Sequence, residues 1–161
     1  MNRMEYDLVG EMAVDADAYY GIHALRAAEN FPITHTRLPG DMIVSMAWIK
    51  KACARANRVT GALSSRVAEA IERACDELID GKLHDQFIVD PIQGGAGTST
   101  NMNANEVIAN RAIELLGGVK GDYTLVHPND HVNCGQSTND IYPTCVKMTL
   151  YRASESLRRE M

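Results

Sequence analysis

The sequence contains no apolar run long enough to span a membrane. Its first residues, Met-Asn-Arg-Met-Glu-Tyr-Asp, lack the apolar core of a secretory signal, so the plain expectation is a cytoplasmic protein. An excess of positive charge is also missing. A net charge of −5 offers no face to a nucleic acid or other polyanion. The four cysteines (Cys53, Cys75, Cys134, Cys145) form no CxxC pair and no Cys/His cluster at metal-ligand spacing, which excludes a structural zinc site. Cys53 and Cys75 fall on apolar helix faces and read as reduced core residues. Internal repeats and low-complexity linkers are absent too.

What remains is an ordinary globular composition, 45% hydrophobic and 23% charged, in 161 residues, enough for one domain with a real core. Residues 5–14 read as a small hairpin turning near Gly10 and Glu11. Asp15 or Asp17 is placed to cap a short helix carrying Tyr19, Ile22, Leu25 and Ala28, which Phe31-Pro32 ends. Residues 41–59 have helical period. Met42, Ile43, Met46, Ile49, Lys50, Cys53 and Asn57 trace one face, and the methionines read as core filler. A second helix spans Ser64–Asp80, with a serine cap and Val67, Ala68, Ile71, Ala74, Cys75, Leu78 and Ile79 as its buried stripe. The short link between them predicts an antiparallel helical hairpin. His84 reads as a surface or loop-packing residue, and 84–91 as an extended connector. Asn103-x-x-Glu106 has the form of a capping box for a helix closed by Gly117-Gly118. Residues 119–136 form a long polar loop. A final helix begins near Ser137 or Thr138, with Pro143 in its first turn, and reaches Met161 without a stop signal, as if cut.

The most informative stretch is Gln93-Gly-Gly-Ala-Gly-Thr-Ser-Thr-Asn-Met-Asn-Ala-Asn-Glu106. Glycines let backbone amides approach a ligand, and a helix start exposes unpaired N–H groups that favour an anion. Gly97-Thr-Ser-Thr-Asn101 and Gly135-Gln-Ser-Thr-Asn-Asp140 repeat one logic: a glycine, then hydroxyls and amides, then a helix. Such side chains bind a carboxylate through neutral donors, each contributing about 0.5–1.5 kcal/mol net. Donors that strengthen as negative charge grows would stabilise an enolate-like intermediate, which elimination beside a carboxylate requires. Either segment alone also fits a plain helix cap. The first lacks the Lys of a nucleotide-binding loop. His127 and His131 fit either a general base or structural hydrogen bonding. No nucleophile–base–orienter set emerges, so a Ser-His-Asp hydrolase is excluded.

Gln93–Asn110, His127-Pro-Asn-Asp-His-Val-Asn133, Gly135–Asp140 and Asp17-Ala-Tyr-Tyr-Gly-Ile-His-Ala-Leu-Arg26 together resemble the aspartase/fumarase superfamily over nearly the whole chain. The variants Gly-Gly-Ala-Gly-Thr-Ser and Gln-Ser-Thr-Asn-Asp are similar to its ammonia-lyase branch rather than to its fumarases. The resemblance implies a mainly α fold: an N-terminal lobe over 1–138 with a small β-hairpin, and at 139–161 the start of a long central-bundle helix. It implies reversible elimination of ammonia from L-aspartate to fumarate, a dicarboxylate partner, a homotetramer in the full-length protein, and no redox or organic cofactor. It leaves divalent-cation activation open. By motif position Thr98, Ser137 and Thr138 would hold the carboxylate and Asn139 would contact the amino group. His127, Asn129 and Asp130 match a secondary dicarboxylate segment of fumarases, and Arg26 fits either a regulatory role or a surface ion pair. The catalytic serine of the family, in a Gly-Ser-Ser loop, has no counterpart here, so the chain alone is expected to be inactive. Two other readings stay open at this point: a fumarate hydratase, and a non-catalytic binding domain.

Overall fold

The computed structural model describes residues 1–161, the side chain of Ser156 apart. Strands β1 (Asn2–Tyr6) and β2 (Glu11–Asp15) pair antiparallel, Asn2 opposite Asp15 and Tyr6 opposite Glu11. The hairpin is therefore longer than the expected 5–14. Its turn is tied by Asp7, whose Oδ1 accepts from the backbone N–H groups of Val9 and Gly10.

Five helices follow: α1 (Ile22–Asn30), α2 (Gly40–Val59), α3 (Ser65–Ile79), α4 (Thr98–Leu115) and α5 (Thr138–Glu160). The expected α2–α3 pair is present, and Ser64 caps α3 by accepting from the Val67 N–H. The core is built where α2, α3 and α4 meet, from Ile43, Met46, Ile71, Leu78, Val107 and Ile108 among others. Burying each such side chain contributes about 1.5–3 kcal/mol. Cys75 and Cys145 are buried, Cys53 and Cys134 half-buried, and all four are free thiols. His84 packs its loop, with Nε2 2.8 Å from the Leu78 carbonyl oxygen.

Several local expectations are overturned. Neither Asp15 nor Asp17 caps α1, which begins only at Ile22. Two distant carboxylates do so instead. Glu106 accepts from the backbone N–H groups of Gly21, His23 and Ala24, and Glu5 accepts from that of Ile22. Asn103-x-x-Glu106 is consequently no capping box: α4 starts five residues earlier, and Asn103 lies inside it. There Asn103 accepts from the Ile88 N–H at 2.9 Å and donates to the Gln86 carbonyl at 3.0 Å. The connector after α3 opens with a 3₁₀ turn, His84–Gln86, and the long loop before α5 contains a single wide turn, Pro128–Val132. Pro143 sits one turn deeper in α5 than expected and removes the N–H that would bond the Asn139 carbonyl.

Candidate functional site

α4 and α5 begin side by side. Gly97, in the left-handed region at φ 85°, precedes α4 without any side-chain cap bond. A Cβ there would overlap the ring carbons of Tyr142 on α5, so glycine lets the two helix starts close together. Ser137 caps α5, its Oγ accepting from the Asn139 N–H at 3.2 Å. Asn101, one turn into α4, donates to Thr138 Oγ1 at 3.1 Å. The structure thus joins the two glycine–hydroxyl–amide segments, and one helical turn separates Thr98 from the Asn101–Thr138 link. Thr98, Ser137 and Asn139 are exposed and Thr138 half-buried. Gln93 Oε1 caps the first turn of α4 by accepting from the Thr100 N–H at 2.9 Å, so the Thr98 hydroxyl has no capping task.

Behind this pair of helix starts lies a lysine. Lys50 of α2 is fully buried, yet its Nζ donates to Asn133 Oδ1 at 2.8 Å and to Gln136 Oε1 at 2.9 Å. Asn133 Oδ1 also accepts from Asn101 Nδ2 at 3.1 Å. Burial pushes the Lys50 ammonium down to about 7, while the two amide oxygens favour its charged form. The sequence assigns no site role to Lys50 or Asn133, and it includes Asn101 and Gln136 only within the two glycine–hydroxyl–amide segments. The available signal was a lysine in the middle of an otherwise apolar helix face.

The other candidates lie apart from this junction. Arg26 binds Asp7 at the hairpin turn, Nε to Oδ2 at 2.8 Å and Nη2 to Oδ1 at 3.2 Å, and this hydrogen-bonded guanidinium holds the Asp7 carboxyl below its usual range. Both line a cavity of about 300 Å³ that reaches Ser99 but none of Thr98, Ser137, Thr138 or Asn139. His127 is committed to its own turn: Nδ1 accepts from the Asn129 and Asp130 N–H groups at 3.2 Å. His131 Nδ1 accepts from the His127 N–H at 2.8 Å, and burial lowers the His131 pKa. A cavity of about 600 Å³, mostly apolar, lies between Pro91–Gly97 and Tyr142–Lys147, beside the two helix starts rather than over them. Among the described residues no cluster of three His, Cys, Asp or Glu is placed to hold a metal. No helix of the described residues is long and apolar enough to cross a membrane.

A family of lyases matches residues 10–161. The chain belongs to this lyase family. Aspartate ammonia-lyase of Bacillus subtilis is 54% identical over 159 residues, covering 99% of this chain and 34% of the relative. Among solved lyase structures, the fumarate lyase:delta crystallin from Brucella melitensis in native form superposes with a TM-score of 0.95 at 51% identity, over 96% of this chain and 36% of that one. The class II fumarase from Schistosoma mansoni superposes at 0.88 with 39% identity, over 92% and 32%. The lyase chain described here thus spans about a third of the length of the relatives it matches, and it shares their mainly α fold with a small hairpin.

Proposed function

We propose that this chain is the N-terminal part of an ammonia-lyase that reversibly eliminates ammonia from L-aspartate to give fumarate. The observation that carries the reading is the Asn101–Thr138 bond, which seats two donor segments on one wall, in a chain 54% identical to an aspartate ammonia-lyase. Thr98, Ser137 and Thr138 hold the substrate carboxylate, and Asn139 contacts the amino group. A base takes the proton from the carbon beside the β-carboxylate, leaving an aci-carboxylate dianion. Neutral hydroxyl donors bind that dianion better than the ground-state carboxylate, and ammonia then leaves.

The same reading supplies the organisation. Residues 1–138 form the lyase lobe, and 139–161 begin a helix-bundle domain through which the full-length cytoplasmic enzyme assembles as a homotetramer. Leu150, Tyr151 and Leu157, exposed on α5, support this with their uncovered apolar surface. The Gly-Ser-Ser loop that carries the family's base serine has no counterpart in residues 1–161, so these residues alone release no fumarate. The match to a class II fumarase supports a second reading, in which water replaces ammonia as the leaving group.

The test is to assay the full-length gene product with L-aspartate and with malate. Fumarate from aspartate alone supports the ammonia-lyase. Fumarate from malate alone moves the protein to the hydratases, and no turnover of either overturns both readings.

A further inference from the structure

Lys50 is a fully buried amine on α2 that the proposed reaction does not use. An ammonium only donates, so the amides facing it must present oxygen. Asn133 and Gln136 do so, at 2.8 and 2.9 Å. With Asn133 Oδ1 facing the lysine, the Asn101 group that meets the same oxygen must be its NH₂, at 3.1 Å. That NH₂ also reaches Thr138 Oγ1 at 3.1 Å, where the hydroxyl can only accept. The single hydrogen of Thr138 is then left over, and among the described residues no acceptor takes it. Gln136 is held in turn, its Nε2 donating to the Val132 carbonyl at 2.8 Å and its carbonyl accepting from Asn133 Nδ2 at 3.1 Å. The loop entering α5 is therefore wrapped around the ammonium.

We infer that Lys50 is a positioning residue of the dicarboxylate site, setting the direction of the Asn133–Asn101–Thr138 hydrogen bonds so that the Thr138 hydroxyl faces the substrate as a donor. The inference rests on the proposed role of Thr138. Without the lysine, a turn of the Asn133 NH₂ toward Asn101 is opposed only by its single bond to the Gln136 backbone carbonyl, and such a turn reverses the chain of bonds. Asn101 then turns its Oδ1 toward Thr138, and the hydroxyl hydrogen is consumed inside the protein. A buried charge is ordinarily unfavourable. Here, together with the Gln136 carbonyl, it disfavours the reversed amide orientation.

The experiment is a double-mutant cycle in the full-length protein, following fumarate release from L-aspartate. Lys50→Met removes the donor while keeping an unbranched side chain, and Thr138→Val removes the hydroxyl. Lys50→Met is expected to lower kcat about 10–100-fold, the range found when an outer hydrogen-bond partner is removed, with a smaller change in KM. The double variant should fall no further than about twofold below the weaker single variant, because both changes remove one donor. Losses that multiply would make Lys50 merely structural and overturn the inference, as would a Lys50→Met enzyme with unchanged kcat. If Thr138→Val and Thr98→Ala both leave turnover intact, the carboxylate-wall reading falls, and this inference with it. Should Lys50→Met fail to fold, Asn133→Leu cuts the same chain one link further on and enters the same cycle with the same two outcomes.

Discussion

The Glu106 carboxylate holds His23 twice, accepting from its backbone N–H at 2.8 Å and lying 3.0 Å from its ring Nδ1. One side chain from the middle of α4 thereby closes the open end of α1 and orders the exposed imidazole beside it. Glu106→Gln puts an NH₂ where one of two oxygens faced backbone donors, leaving at least the half-buried His23 N–H unpaired. A stability loss of about 2–3 kcal/mol is expected, read by denaturant unfolding. An unchanged unfolding midpoint would rule out this cap.

The same pair gives a pH dependence. The Glu106 hydrogen bond raises the His23 pKa above 6.5 despite burial. The folded state binds this proton more tightly than the unfolded chain. Its contribution is fully present below pH 6.5 and is lost as pH rises through the raised value. The stability difference between the parent and His23→Gln should therefore be larger at pH 5.5 than at pH 8.5. Thermal melts at both pH values read it, and an equal or reversed difference contradicts the assignment.

Lys50 behaves with the opposite sign. Burial lowers its pKa from 10.5 to about 7, so between those values the unfolded chain binds more protons and stability rises with pH. The penalty is fully present below about pH 7 and is relieved above it. Burial raises both Cys53 and Cys75, the thiols beside it, above their ordinary value. From pH 6.5 to 8.5 the parent should therefore gain stability relative to Lys50→Met. Parallel melting curves across that window would show that the ammonium is not under this strain.

Gly97 and Gly61 both have positive φ, 85° and 79°, but only Gly97 faces another side chain. Gly61→Ala carries only the backbone penalty, about 1–2 kcal/mol. Gly97→Ala adds a collision with Tyr142 and should cost at least about 2 kcal/mol more, partly restored when Tyr142→Ala removes the ring. Equal losses at the two glycines would mean that α4 and α5 do not meet there.

Thr98→Ala separates a donor from a cap. Since Gly97 precedes α4 without a side-chain cap bond, this substitution should leave stability within about 0.5 kcal/mol. In the full-length enzyme it should lower kcat by roughly 10²–10³ if the hydroxyl stabilises the developing dianion. Ser64→Ala, which removes a true cap from α3, should do the reverse and lose about 1 kcal/mol with the rate intact. Matching profiles for the two variants would remove Thr98 from the site.

The helical hairpin of α2 and α3, the β-hairpin, the long last helix and the two glycine–hydroxyl–amide segments were all legible in the sequence. Each is written in local chemistry: an apolar period, a serine before a helix, glycines at a turn. The polar loop before α5 hid its wide turn, because the bonds that form it depend on which way His127 and His131 point. Glu106 misled for the same reason. Its spacing from Asn103 mimics a capping box, while its actual partners, Gly21, His23 and Ala24, are more than 80 positions away in the chain.

By itself, then, the sequence determined most of the elements and the grouping of hydroxyls and amides before two helices, since both follow from neighbours a few positions apart. Only the tertiary structure decided which polar groups meet. Asn101 reaches across to Thr138, Lys50 fixes the amides behind them, and Arg26 is drawn off to Asp7. A buried donor must find its acceptor wherever folding brings one, and chain spacing holds no record of that distance.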